Sequence, residues 1–271
     1  MVGQKNMASE KMTALQKYEE RVDEVNSLVC VGLDSDFAKI PESFKASEFP
    51  QFEFNKSIIE ATHEYVAAYK PNAAFYEARG DRGIKELKMT MDYLRENFPD
   101  ILTICDAKRA DIANTNEQYV SEIFDWLGFD AVTLHPYLGK EALQPFLERA
   151  DKGCVILCRT SNPGAGELQD LDVVGKPLWQ TVAEKVRDEW NVNENCMLFV
   201  GATYPEEMQK ARELMGDMTF LVAGVDTQGG KAEDVVRAGL NSQGKGLIIN
   251  SSRAIIFSAD PKTETLKLRD K

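Results

Sequence analysis

The chain has 271 residues, 43% of them hydrophobic and 28% charged, and a formal net charge of −12. That length and balance suit one large α/β unit with a substantial core. A global acidic field argues against nucleic acid and anionic membrane as partners. It leaves room for an anionic small molecule held in a local cationic pocket, because salt screens distant charge.

The stretch Met1–Met7 lacks the apolar core of a signal peptide, and no apolar run approaches the roughly 18 residues of a membrane span. A cytoplasmic enzyme is the expectation. The first 25 residues read as an extra, charge-rich helix. The run Leu28–Gly32 then opens a series of short apolar, β-branched segments. Helical spacing over Phe54–Val66 (Phe54, Ile58, Ile59, Val66) leads to the run Tyr65–Tyr69. Ile84–Phe98, with Leu87, Met91 and Leu94, leads to Ile101–Cys105. Asn114–Leu127, with Tyr119, Ile123 and Trp126, leads to Ala131–Leu134. A shorter helix at Gln144–Arg149 precedes Cys154–Cys158. Pro177–Trp190, opened by its proline, precedes Met197–Gly201. Glu206–Leu214 precedes Phe220–Ala223, and Ala232–Leu240 precedes Leu247–Asn250.

None of the apolar runs alternates strictly, so they read as strands covered on both faces. Eight strands alternating with helices predict a (β/α)8 TIM barrel, a single domain over 1–271 with 1–25 as a helical extension. A doubly wound sheet fits less well, because no Gly-x-Gly-x-x-Gly follows the first strand. The cysteines Cys30, Cys105, Cys154, Cys158 and Cys196 lie in or beside apolar runs and read as buried thiols. Cys154 and Cys158 have no second ligand pair, which argues against zinc.

Active sites of such barrels form where the strands end. Here the strand ends carry Asp34, Lys70, Asp106 with Lys108, His135, Arg159–Gly164, Gly224–Gly230 and Asn250–Arg253. Asp106 and Lys108, two apart, share one face of an extended strand, and Lys70 and Asp34 stand on neighbouring strands. Alternating carboxylates and ammonium groups hold each other ionised in a water-poor pocket. The loops after strands seven and eight, with Gln228-Gly229-Gly230 and Ser252-Arg253, suit a phosphate: glycine lets backbone N–H groups approach it and Arg253 supplies a fork. His135 reads as a rim or core residue and His63 as surface or packing. Trp126, Trp179 and Trp190 read as outer-layer packing.

The stretch Asp106-Ala107-Lys108-Arg109-Ala110-Asp111-Ile112-Ala113-Asn114-Thr115 resembles the Asp-x-Lys-x-x-Asp-Ile-x-x-Thr signature of the orotidine 5′-phosphate decarboxylase family. Val31-Gly32-Leu33-Asp34, Tyr69-Lys70-Pro71-Asn72, Thr160-Ser161-Asn162-Pro163-Gly164, Gln228-Gly229-Gly230 and Ser252-Arg253 follow the family's blocks in order. The resemblance implies that Lys108 protonates carbon 6 of the pyrimidine as carbon dioxide leaves, with Asp106 beside the substrate carboxylate. Lys70 and Asp111 complete the array. Asp34 and Lys70 would bind the ribose 3′-hydroxyl, Thr115 the 2′-hydroxyl, Ser161 the pyrimidine, and Gln228 and Arg253 the phosphate. It further implies a homodimer with shared active sites, Asp111 and Thr115 reaching into the partner's site, and no metal or organic cofactor. The loops Ser161–Gln169 and Val225–Lys231 are candidate lids. Asp226-Thr227 departs from the family's usual Gly-Ala, and its acidic side chain is expected to point away from the phosphate.

Three other readings compete. A sugar-phosphate decarboxylase or aldolase of the same suprafamily would need Mg²⁺. Schiff-base chemistry at Lys108 or Lys70 would need a neutral amine, which flanking carboxylates oppose. A non-catalytic nucleotide-phosphate binder would retain Arg253 and Gln228 without needing the charged array.

Overall fold

Strands without polar alternation must be covered on both sides, and a closed barrel inside a ring of helices achieves this. The computed structural model describes residues 12–224 and 231–271. In it, eight parallel strands close in sequence order: β1 (Val29–Val31), β2 (Ala68–Tyr69), β3 (Leu102–Arg109), β4 (Ala131–Leu134), β5 (Gly153–Arg159), β6 (Cys196–Gly201), β7 (Phe220–Ala223) and β8 (Leu247–Ser251). Closure is made by β8 against β1, Val29 standing opposite Ile249 and Val31 opposite Ser251. The (β/α)8 expectation therefore holds, and every strand overlaps a predicted run, β3 continuing past the expected Cys105 to Arg109.

Two apolar layers result from the two strand faces. Cys30, Ala68, Leu102, Ile104, Ala131, Val155, Met197, Phe199, Leu221 and Ile248 fill the barrel interior. The alternate residues, Val29, Val31, Tyr69, Val132, Ile156, Leu198, Val222 and Ile249 among them, pack outward against the helices. Of the helix expected over 1–25, residues 1–11 lie outside the described residues and Ala14–Val25 is helical, capped by Thr13, whose Oγ1 accepts the Gln16 N–H at 3.2 Å while Gln16 Oε1 accepts the Thr13 N–H at 2.9 Å. Its Ala14, Tyr18 and Val22 join the interior layer. The helix is thus a plug at the N-terminal end of the barrel. Tyr18 donates its hydroxyl to the carbonyl of Leu247, and Gly153 leaves room where a Cβ would meet Met197 at 2.6 Å and Ala131 at 2.9 Å.

The helix in the fourth loop runs Gly139–Leu147, starting five residues before the expected Gln144, with Pro145 inside it. A proline reads as a breaker because it removes an N–H and crowds the preceding turn, and here packing of Ala142, Leu143, Phe146 and Leu147 into the core overrides it. The long helices at 113–127 and 178–190 finish in wide π turns, Ser121–Leu127 and Val186–Trp190. Trp179 and Trp190 are buried as expected. Trp126 is not; it is 49% exposed.

Candidate active site

The site is built on an irregularity in β3. Its pairing with β4 is regular to Cys105, opposite Val132, and resumes at Arg109, opposite Leu134. Asp106, Ala107 and Lys108 therefore stand opposite Thr133 alone. Lys108 takes up the surplus in a left-handed conformation, φ 47°, uncommon outside glycine. Simple alternation along a strand predicted that Asp106 and Lys108 share a face. They do meet, but through this bulge rather than through the regular pleat.

Asp106 is 6% exposed and is held on both oxygens. Lys70 Nζ donates to Oδ2 at 2.8 Å, and Lys108 Nζ donates to Oδ1 at 2.5 Å. Thr133 Oγ1 donates to Oδ1 at 3.0 Å. Burial alone would push the carboxyl pKa up, but the two ammonium groups outweigh it and hold it well below the usual carboxylate range. Lys70, 2% exposed, feels the mirror image: burial pulls its pKa down, and the carboxylates of Asp106 and then Asp34 raise it above the ordinary lysine value. Lys70 is thus kept charged, which disfavours a free-amine role. Lys108 differs in exposure: its side chain is 43% open, its Nζ 5.7 Å from the centre of the Phe199 ring.

Asp34, after β1, belongs to the same cluster by charge, and its Oδ1 is buried without a hydrogen-bond partner among the described residues. A buried acceptor in that condition costs free energy until a donor arrives. The β1 and β8 ends are locked together. Ser252 Oγ donates to the Gly32 carbonyl at 2.9 Å, and a Cβ on Gly32 would meet the Ser252 Cβ at 2.8 Å. This contact fixes the start of the short helix Arg253–Ile256, where Arg253 is exposed. A parallel arrangement joins β5 to β6: a Cβ on Gly201 would lie 2.8 Å from both the main-chain N and the Cβ of Ser161. The loop beyond Ser161 is anchored by Gln169, which accepts the Thr160 N–H at 2.9 Å and donates to Thr160 Oγ1 at 2.8 Å. Arg159 is occupied with Glu207 at 2.8 Å.

Two predicted residues lie away from this cluster. Asp111 sits past the strand end, its Oδ1 accepting the Ile112 N–H at 2.7 Å, and it forms no ion pair with a described residue. Thr115 follows on the first turn of the helix Ala113–Val120. Gln228 and the Asp226-Thr227 pair lie outside the described residues, as does most of the second candidate lid. His135 is half-buried on the rim, its main-chain N–H donating to the Arg109 carbonyl at 3.1 Å, and His63 stacks on Phe98 at 4.4 Å. All five cysteines are free and buried. Burial raises their thiol pKa values, those of Cys30, Cys158 and Cys196 to about 12, which leaves them poor nucleophiles.

Sequence reasoning missed Thr133 and Phe199, and named Asn72 only within the Tyr69–Asn72 block, without a role. Asn72 pairs with Asp106 across an isolated bridge. An inward-facing threonine in an otherwise apolar strand was the available signal for Thr133. A cavity of about 800 Å³ opens at the other end of the barrel, beside Lys17, Arg21, Phe98 and Phe124. There Lys17 is paired with Asp130 and Arg21 with Asp100, so it has none of the site's poised groups.

Residues 27–268 match the model of a family described as orotidine 5′-phosphate decarboxylase / HUMPS. The chain is 46% identical over 251 residues to an orotidine 5′-phosphate decarboxylase of Cellvibrio japonicus, covering 92% of this chain and 91% of that one. Among solved structures it resembles the Leishmania donovani OMP decarboxylase, with a TM-score of 0.85, 38% identity and 96% of each chain covered. It also resembles a Toxoplasma gondii protein described as a putative orotidine-monophosphate decarboxylase, with a TM-score of 0.88, 32% identity, and 96% and 94% covered. A match that spans nearly the whole barrel, including every strand end that carries the charged cluster, settles the kinship: the chain belongs to the orotidine 5′-phosphate decarboxylase / HUMPS family.

Proposed function

We propose that this chain, acting as one barrel domain, decarboxylates orotidine 5′-monophosphate to UMP in pyrimidine biosynthesis, with Lys108 as the proton donor. The observation that carries the mechanism is Asp106 clamped between two ammonium groups, Lys70 buried and Lys108 facing the mouth. The bond from carbon 6 to the carboxylate breaks with its electron pair left on carbon 6. The Lys108 ammonium stabilises that charge and transfers its proton to form the new C–H bond, carbon dioxide departs, and water reprotonates the amine. Preorganised charge of this kind is typically the largest catalytic contribution. Asp34 and Lys70 take the ribose 3′-hydroxyl, which fits the unpartnered Asp34 Oδ1. Ser161 contacts the pyrimidine, and Gln228 and Arg253 hold the phosphate, whose remote binding energy drives closure of the adjoining loops.

The active form in this proposal is a homodimer in the cytoplasm. Asp111 and Thr115 stand away from the cluster within one chain. Beside them the starts of two adjacent helices expose Ile112 (58%), Tyr137 (81%) and Leu138 (44%), an apolar rim suited to a partner. The five unbridged cysteines fit a reducing compartment, and among the described residues no helix is long and apolar enough to cross a membrane. The Mg²⁺-dependent alternative is less favoured because both oxygens of Asp106 already accept from ammonium groups, and no group of three metal-ligating side chains occurs among the described residues.

The test is direct. Purified protein treated with a chelator and given orotidine 5′-monophosphate is expected to produce UMP, followed by pyrimidine absorbance. No turnover without added Mg²⁺ sinks the proposal. Lys108→Ala is expected to fold, because the side chain is half open, and to lose at least ~10³-fold in kcat.

A further inference from the structure

We infer that Thr133 is a positioning residue for the decarboxylation: its buried hydroxyl maintains the β3 bulge that aims Lys108 at the substrate. The inference rests on the proposed roles of Lys108 and Asp106. In a regular parallel pair, every second main-chain N–H of one strand finds a carbonyl of the next, the others turning to the strand on its far side. Between Cys105 and Arg109 that ladder is interrupted, and three residues of β3 face one of β4. The Lys108 N–H inside the interruption donates to Thr133 Oγ1 at 2.9 Å. The same hydroxyl donates its proton to Asp106 Oδ1 at 3.0 Å, in preference to the Cys105 carbonyl at 3.5 Å, because a carboxylate is the stronger acceptor.

One side chain, fully buried, therefore does two things. It supplies the acceptor that the bulged backbone lacks, so that Lys108 can hold φ 47°. It also orients the carboxylate oxygen to which Lys108 Nζ donates at 2.5 Å. Backbone and side chain of Lys108 are fixed from a single point on the adjacent strand. The neighbouring inward positions of β4 and β5, Ala131 and Val155, are apolar, so nothing else there can take over the role. Without the hydroxyl, the Lys108 N–H loses its acceptor on β4, and the left-handed turn loses its support.

Thr133→Val keeps the shape and removes the hydroxyl, whereas Thr133→Ser keeps the hydroxyl. With wild type confirmed as a decarboxylase in the same assay, Thr133→Val is expected to lose about 10- to 100-fold in kcat, the scale of a misplaced catalytic group. The dissociation constant for UMP, measured by calorimetry, and KM are expected to stay within about threefold. Thr133→Ser is expected to recover kcat to within about threefold of wild type. A packing role alone would not give that split or that rescue. A valine variant with wild-type kcat, or one whose UMP affinity and kcat fall together, overturns the inference. If Thr133→Val fails to fold, Thr133→Ser and Thr133→Ala decide: equal kcat in the two overturns it, and a serine advantage of about tenfold or more supports it. Inactive wild type would instead count against the proposed function.

Discussion

Lys70 shows how a lysine can be sealed in a barrel and stay charged. Removing it from water costs several kcal/mol, and only close carboxylates offset that cost. Asp106 and Asp34 supply the offset. Asp106→Asn preserves shape and removes most of it, so unfolding free energy at pH 7 is expected to fall by about 3 kcal/mol, measured by urea denaturation. The pH dependence follows from the two shifts. The Asp106 pKa is depressed in the folded state, so its contribution is present above the unfolded carboxylate value of about 4 and fades as pH falls through the folded value. The Lys70 pKa is raised, so its contribution is complete below the unfolded lysine value of about 10 and fades as pH rises through the folded one. The difference between wild type and Asp106→Asn should be flat from about pH 5 to pH 9 and shrink at the acid end. A difference that grew on acidification would refute the ion-pair account.

Among the elements, the strand ends matter more than the strands. The β1–β8 and β5–β6 junctions are drawn close by glycines whose missing Cβ lets the next loop lie against the strand. At Gly201 the obstacle to any side chain is the backbone of Ser161 rather than a flexible tip, so the loop itself must move. Gly201→Ala is expected to lower Tm by about 2–10 °C, the cost of overpacking in a chain of this size. If Ser161 contacts the pyrimidine, KM for orotidine 5′-monophosphate should rise by a larger factor than kcat falls. An unchanged KM with a lowered Tm would separate Ser161 from substrate binding. The first helix shows what element-scale reading misses. Its charge-rich sequence gives only a helical extension, whereas in the fold Ala14, Tyr18 and Val22 share a face that closes the barrel floor.

At the scale of the molecule, the charged cluster within one chain holds Asp34, Lys70, Asp106 and Lys108, while Asp111 and Thr115 sit beside an exposed apolar rim. A two-fold dimer that brings Asp111 to the neighbour's Lys108 has a testable consequence. Lys108→Ala and Asp111→Ala should each be inactive alone. Mixed and reassembled, half the dimers are hybrids, and each hybrid has one site free of both substitutions, so about a quarter of wild-type activity should return. No recovery in mixtures shown to exchange subunits would place Asp111 in its own chain's site or in none.

The order of residues alone dictates the barrel, because eight doubly covered strands separated by helices have few other ways to bury both faces. It determined the acidic and basic residues at the strand ends too, since a strand's end is legible wherever its apolar run stops. How those groups meet is set by pairing between strands distant in the chain. The Asp106–Lys108 contact depends on a bulge set by pairing with β4, and Thr133 enters the site through that register. Local periodicity carries no information about which residue of a distant strand will face an interruption in the ladder. The plug made by the first helix is of the same kind: its amphipathic face is written locally, but what it covers is fixed only when the barrel closes around it.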